Sequence, residues 1–174
     1  ILGNFSNSLS VAGHTHLIEN HFYGKESGFH NGSQHHVFVA GATCGSWWTG
    51  VKDELGLPHT MMKCGAPNGY TVFTFKDNTY SLRYKVGRGN KDYQMNIWAP
   101  DSVKAEQSGQ TDVIVNFFAG SEKASVKMRI GDSDWINMAK VKIRDPYYLQ
   151  LDEMDKNLGI EKPNWMGSAM ISDH

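Results

Sequence analysis

The chain has 174 residues, a length for one ordinary domain or two small ones, and 40% of them are apolar, enough for a packed core. A net charge of -1 leaves no electrostatic footprint for nucleic acid or an anionic membrane surface. No apolar run approaches the ~20 residues that span a bilayer, and eighteen Gly against five Pro lean the chain towards strands and tight turns.

In chain order, residues 1–12 lead into the string Gly13-His14-Thr15-His16. Residues 17–36 are polar and rich in His, Asn and Gly, which predicts a loop long enough to be functional. Val37 to Ala42 is short and apolar, as a buried strand is, and Gly45-Ser46-Trp47-Trp48 extends it. Adjacent residues on a strand face opposite ways, so one of Trp47 and Trp48 is expected in the core. Residues 49–60, with Gly50, Asp53, Gly56 and Pro58, form a connection.

From Met61 the β pattern sharpens. Tyr70 to Phe75 is rich in β-formers, Lys76 to Thr79 is a hairpin turn, and Tyr80 to Val86 alternates. There Tyr80, Leu82, Tyr84 and Val86 share one face while Ser81, Arg83 and Lys85 share the other. Gly87 to Asn90 reads as a linker, dividing the chain into residues 1–90 and 91–174. Beyond it, Tyr93 to Trp98, Val113 to Phe118, Ser125 to Ile130 and Trp135 to Met138 are predicted strands spaced as in a β-sandwich. Gly131 to Asp134 imitates an acidic metal motif but reads as a turn. The one helical hint is Leu149 to Leu158.

Chemistry concentrates at His14 and His16. Two imidazoles two residues apart project to one side of an extended or lightly turned segment. Gly13 is placed to let the backbone turn and approach a ligand. Neutral imidazole suits Zn, Fe, Mn and Ni, but such ions want four to six ligands, so two histidines are a contribution to a larger cluster.

The Gly-His-x-His string after a short strand resembles the last signature motif of the calcineurin-like phosphoesterases. Further stretches are similar to the C-terminal region of one bacterial subgroup: Gly45-Ser46-Trp47-Trp48-Thr49-Gly50, Gly56-Leu57-Pro58-His59, Cys64-Gly65-Ala66-Pro67-Asn68-Gly69-Tyr70, Asn116-Phe117-Phe118-Ala119-Gly120, Trp135-Ile136-Asn137-Met138 and Asp145-Pro146-Tyr147. The resemblance implies a parent enzyme in which two divalent ions (Mn, Fe or Zn) activate a water that attacks a small phosphoester. It implies that His14 ligates the second ion and His16 the first, the glycine being structural. The family's upstream motifs, Asp-x-His, Gly-Asp-x-x-Asp and Gly-Asn-His-Asp/Glu, do not precede Gly13, and the chain starts without an initiator Met. It therefore reads as an excised C-terminal piece, inactive alone and holding no metal stably, whose partner is the N-terminal catalytic domain of the same protein. The implied fold is mainly β: sheet-completing strands over 1–90, then an Ig-like antiparallel β-sandwich over 91–174 that lacks a final strand or two.

Other readings attach to the remaining residues. His21, His30, His35 and His36 are expected in a solvated loop, or lining the mouth of the parent's site. Asp53-Glu54 and Asp152-Glu153 are expected as solvated surface. Cys44 and Cys64 read as buried free thiols, or as a disulfide if the parent is exported, and an extracytoplasmic home is the favoured one. The competing functions are a carbohydrate- or lipid-binding β-sandwich with aromatic platforms, and a structural domain capping a catalytic core.

Overall fold

The computed structural model describes residues 2–30, 34–162 and 171–172. It is mainly β. Strands β1 (Leu9–Ala12), β2 (Ile18–Tyr23) and β3 (His35–Ala40) form one sheet in the order β1-β3-β2. β3 runs parallel to β1 and antiparallel to β2. Being central, β3 is covered on both faces, which is why His35, His36, Phe38 and Val39 are all buried. The expected loop over 17–36 is therefore β2, a connection and the first two residues of β3, while Val37 to Ala40 form the buried strand expected there. Asn20, His35 and His36 are sheet residues bonded to partners distant in sequence, and residues 31–33 lie outside the described ones.

β4 (Gly69–Lys76) and β5 (Thr79–Val86) make the expected hairpin, with Asp77 in the left-handed region at its turn. β6 (Met95–Trp98) pairs with β7 (Ile114–Phe117), β8 (Lys127–Met128) with β9 (Ile136–Asn137), and β10 (Ile143–Arg144) with β11 (Ile171–Ser172), all antiparallel. The helix α1 (Pro146–Asn157) begins three residues before the hint in the sequence. Asp145 caps it by accepting from the Tyr148 N–H, and Pro146 takes the first turn, where its missing N–H costs nothing.

One buried cluster joins the first sheet to the rest: Ile18, Phe38, Met62, Cys64, Ala66, Tyr84, Val86 and Phe118, with Tyr93 packed against it. Polar side chains reinforce the join. Asn20 Nδ2 donates to the Ala119 and Gly120 carbonyls at 3.2 and 2.8 Å. Asn116 Nδ2 donates to the Cys64 carbonyl and to Asp145, each at 2.8 Å. Gly65 is obligatory there: its φ is +77°, and a Cβ would sit 2.1 Å from the Asp145 carboxyl carbon. Both cysteines are free, Cys64 buried as expected and Cys44 exposed, because Cys44 falls in a surface turn rather than a strand.

Among the described residues no helix is long and apolar enough to cross a membrane.

Candidate metal-ligand turn

β1 and β2 flank β3, so the chain between them must cross the end of β3. That crossing is Gly13 to Leu17. β3 ends at Ala40 beside Ile18, and the next turn, Thr43 to Trp48, starts from the same place. Sheet order alone thus brings the GHTH turn against the GSWW segment, beyond the carboxyl ends of two parallel strands. Open α/β sheets place their ligands in that position.

The contacts are specific. His16 Nδ1–H donates to the Gly45 carbonyl at 2.8 Å. The His16 ring lies flat on Trp47, with centroids 4.3 Å apart and planes 13° from parallel. Cys44 Sγ approaches His16 Nδ1 at 3.9 Å. A backbone carbonyl only accepts, so Nδ1 of His16 carries a proton, and in the neutral ring the lone pair is then on Nε2. His14 is exposed and His16 half-buried, so neither is consumed by the apolar interior.

The backbone here departs from expectation. The turn is made by the histidines, at φ +83° for His14 and +57° for His16, while Gly13 stays outside the left-handed region with open space around its Cα. Trp47 and Trp48 are also left-handed, at +65° and +55°. The segment is a turn rather than a continuation of β3, so both indoles face water, 51% and 56% exposed, instead of one entering the core. Four non-glycine residues with positive φ in two touching turns store strain of about 1–3 kcal/mol each. Surrounding bonds hold it: Ser46 N–H donates to the Thr60 carbonyl at 2.8 Å and Thr49 Oγ1 to the Ser46 carbonyl at 2.9 Å. Gly45, at φ +55°, lies so close to Thr60 that a Cβ would be 1.6 Å from its carbonyl oxygen.

Among the described residues the other histidines do not join them. His21 is exposed and pairs with Glu19, and His30 is exposed. His35 sits between the Ser8 and Ser10 hydroxyls. His36 donates from Nε2 to Asn20 Oδ1 at 2.9 Å and accepts the Tyr80 hydroxyl at Nδ1. Both are buried in β3, not in a solvated loop. Burial holds the His36 pKa below the ordinary imidazole value, and the Lys123 charge adds to this. His36, Asn20, Tyr80, Arg83 and Lys123 border a cleft of about 380 Å³. Among the described residues no three His, Cys, Asp or Glu side chains converge as a metal group.

Sequence reasoning missed a second polar centre. Asp155, 1% exposed, accepts from Val51 N–H at 2.7 Å and His59 Nε2–H at 3.1 Å, and pairs with Lys162 at 2.7 Å. Burial alone would raise its pKa, but the bonds from Lys162 and His59 prevail and hold it below the usual carboxylate range. His59 Nδ1 accepts the Met61 N–H, so neither ring nitrogen is free for chemistry and the group is a structural lock. Asp152 is bound by Lys156 and Lys162, and Asp53 by Arg88 and two backbone N–H groups, so these carboxylates are not the solvated surface expected. Gly131 to Asp134 is an exposed turn, as read.

A family model described as the C terminal of calcineurin-like phosphoesterase matches residues 37–172. The chain belongs to that family. No curated protein matches it, and no solved structure does. In this phosphoesterase C-terminal region the match takes in the GSWW turn, the core hairpin and α1. The GHTH turn lies outside the matched residues, on the far side of β2 in the chain, and is tied to them through Gly45 and Trp47.

Proposed function

We propose that this chain is the C-terminal portion of a di-metal phosphoesterase and contributes His14 and His16 to a metal pair held mainly by an N-terminal catalytic domain of the same protein. In this reading residues 1–90 complete or dock on the catalytic sheet, and residues 91–174 form an accessory β-sandwich of Ig-like kind. The carrying observation is His16: its Nδ1–H is engaged by a backbone carbonyl, which in the neutral ring leaves the lone pair on Nε2. Metal-ligating histidines are held in that arrangement, the second nitrogen donating to a carbonyl or carboxylate. The donor set suits Mn, Fe or Zn, and the family resemblance puts His14 on the second ion and His16 on the first. When bound, such a pair supplies Lewis acidity to a phosphoester and to the attacking water. This chain's own part is positional: the GHTH turn carries two imidazoles at the sheet end, and the GSWW turn fixes one of them.

A capping role for the second half fits the same reading, and the exposed Trp48 supports packing against a missing neighbour. The binding-module alternative draws less support, because Trp47 is already stacked on His16 and is not an open platform.

The test compares the 174-residue chain with the same chain joined to its natural upstream coding sequence. Hydrolysis of bis(p-nitrophenyl) phosphate with Mn2+ is expected only from the joined protein, and His14→Ala and His16→Ala should each abolish it. Turnover by the chain alone, lost in His14→Ala, would overturn the division of labour. Joined activity indifferent to both substitutions would overturn the ligand assignment.

A further inference from the structure

Trp47 combines two features that need a common reason. Its large apolar side chain is half in water, and its backbone is in a region that tryptophan rarely adopts. What the arrangement secures is the orientation of His16. The hydrogen bond from Nδ1 to the Gly45 carbonyl fixes the tautomer and one direction in the ring plane, but leaves the ring free to rock about the N···O axis. The stack on Trp47 fixes the plane, but by itself leaves rotation within that plane. Together they remove both freedoms, and both come from one short turn. Gly45 has no substitute, since its φ and the Thr60 carbonyl exclude a Cβ.

We infer that Trp47 is a positioning residue for His16: with the Gly45 carbonyl it locks the imidazole as the Nδ1–H tautomer and leaves Nε2 as the one nitrogen offered to a divalent cation. The cation rests on the function proposed above, whereas the locked ring rests on the contacts alone. Removing an outer-shell partner of a ligating histidine typically weakens metal binding 10- to 100-fold. The aromatic stack belongs to the same class of support, so comparable sensitivity to its loss is expected.

Long-range 1H–15N NMR of the histidine rings in the 15N-labelled chain reads the lock directly. In wild type, His16 should carry its proton on Nδ1, with ring protons moved upfield by the indole. Trp47→Phe should keep both signatures. In Trp47→Ala the unsupported ring should lose the upfield shift and spend part of its time off the Gly45 carbonyl, which mixes the tautomers, while the amide spectrum of β4 and β5 stays unchanged as a fold control. Zinc chloride titrated into the same samples should move the Nε2 resonance, and Trp47→Ala should need at least ~10-fold more zinc for an equal change. A wild-type proton on Nε2, or Trp47→Ala with wild-type shifts and tautomer, would overturn the inference. A locked ring that ignores zinc, with zinc uptake unaltered by His16→Ala, would uphold the positioning and sink the metal-ligand reading instead.

Discussion

β5 and the segment around β8 carry the same alternation of apolar and charged residues, yet they end at different depths. Along β5, Tyr84 and Val86 are buried against Phe38, Met62 and Phe118. Along Ser125 to Ile130, Val126 and Met128 are only half-buried, on the border of an apolar groove of about 630 Å³, and Ile130 is 75% exposed. The phase is right in both: Arg83, Lys127 and Arg129 face water. Alternation thus decides which face turns inward. How far inward depends on what stands opposite, and opposite β5 stand a sheet and two loops, while β8 has a single two-residue neighbour.

Substitutions can break this comparison. The largest effect is expected from Phe38→Ala at the fully buried centre, a loss of about 3–5 kcal/mol in urea unfolding. Parity between that variant and one at Ile130 would erase the distinction between the two regions. Asp145→Ala comes next, at about 1–2 kcal/mol, because α1 loses its cap and Asn116 Nδ2 one of its acceptors. Thermal melts of this variant should show the drop already at neutral pH.

A smaller effect should appear on acidification. Burial, Lys123, His35 and His21 all lower the His36 pKa, so the folded chain keeps this imidazole neutral while the unfolded chain protonates it near pH 6.5. Stability should therefore begin to fall as pH drops below about 6.5 and go on falling to the depressed folded value. His36→Gln should flatten that part of the profile. An unchanged profile would mean that His36 is not the group responsible. The smallest effect is Ile130→Ala, within about 0.5 kcal/mol, since so exposed a side chain has little burial to lose.

Much of this was legible before any coordinates. The hairpin β4–β5, the strands β6 and β7 and the turn at Gly131 follow from period-two patterning and turn chemistry, both local. The capped start of α1 is also written locally, in Asp145-Pro146, three residues before the helical hint begins. Most of β3 was legible in Val37 to Ala40, but β2 and the first two residues of β3 were hidden because their polar residues are satisfied by groups far along the chain: Asn20 by Ala119 and Gly120, His36 by Tyr80. The left-handed Trp47 and Trp48 could not be foreseen, since their neighbours Ser46 and Thr49 give no turn signal as strong as a glycine at those positions. At the site, the residue types were legible and their companionship was not. That His16 would rest on Trp47 depends on β3 lying between β1 and β2, a matter of sheet order.

The grip of Asn20 on carbonyls about a hundred positions later has a temporal side. Translation delivers β1 to β5 first, but Phe118, which closes the apolar cluster, emerges only afterwards. Until then the nascent sheet lacks one wall, and its assembly must wait on a contact of high sequence separation, the kind that slows folding. A ribosome stalled before residue 118 should therefore display a segment open to proteases, and one stalled well beyond it a protected one.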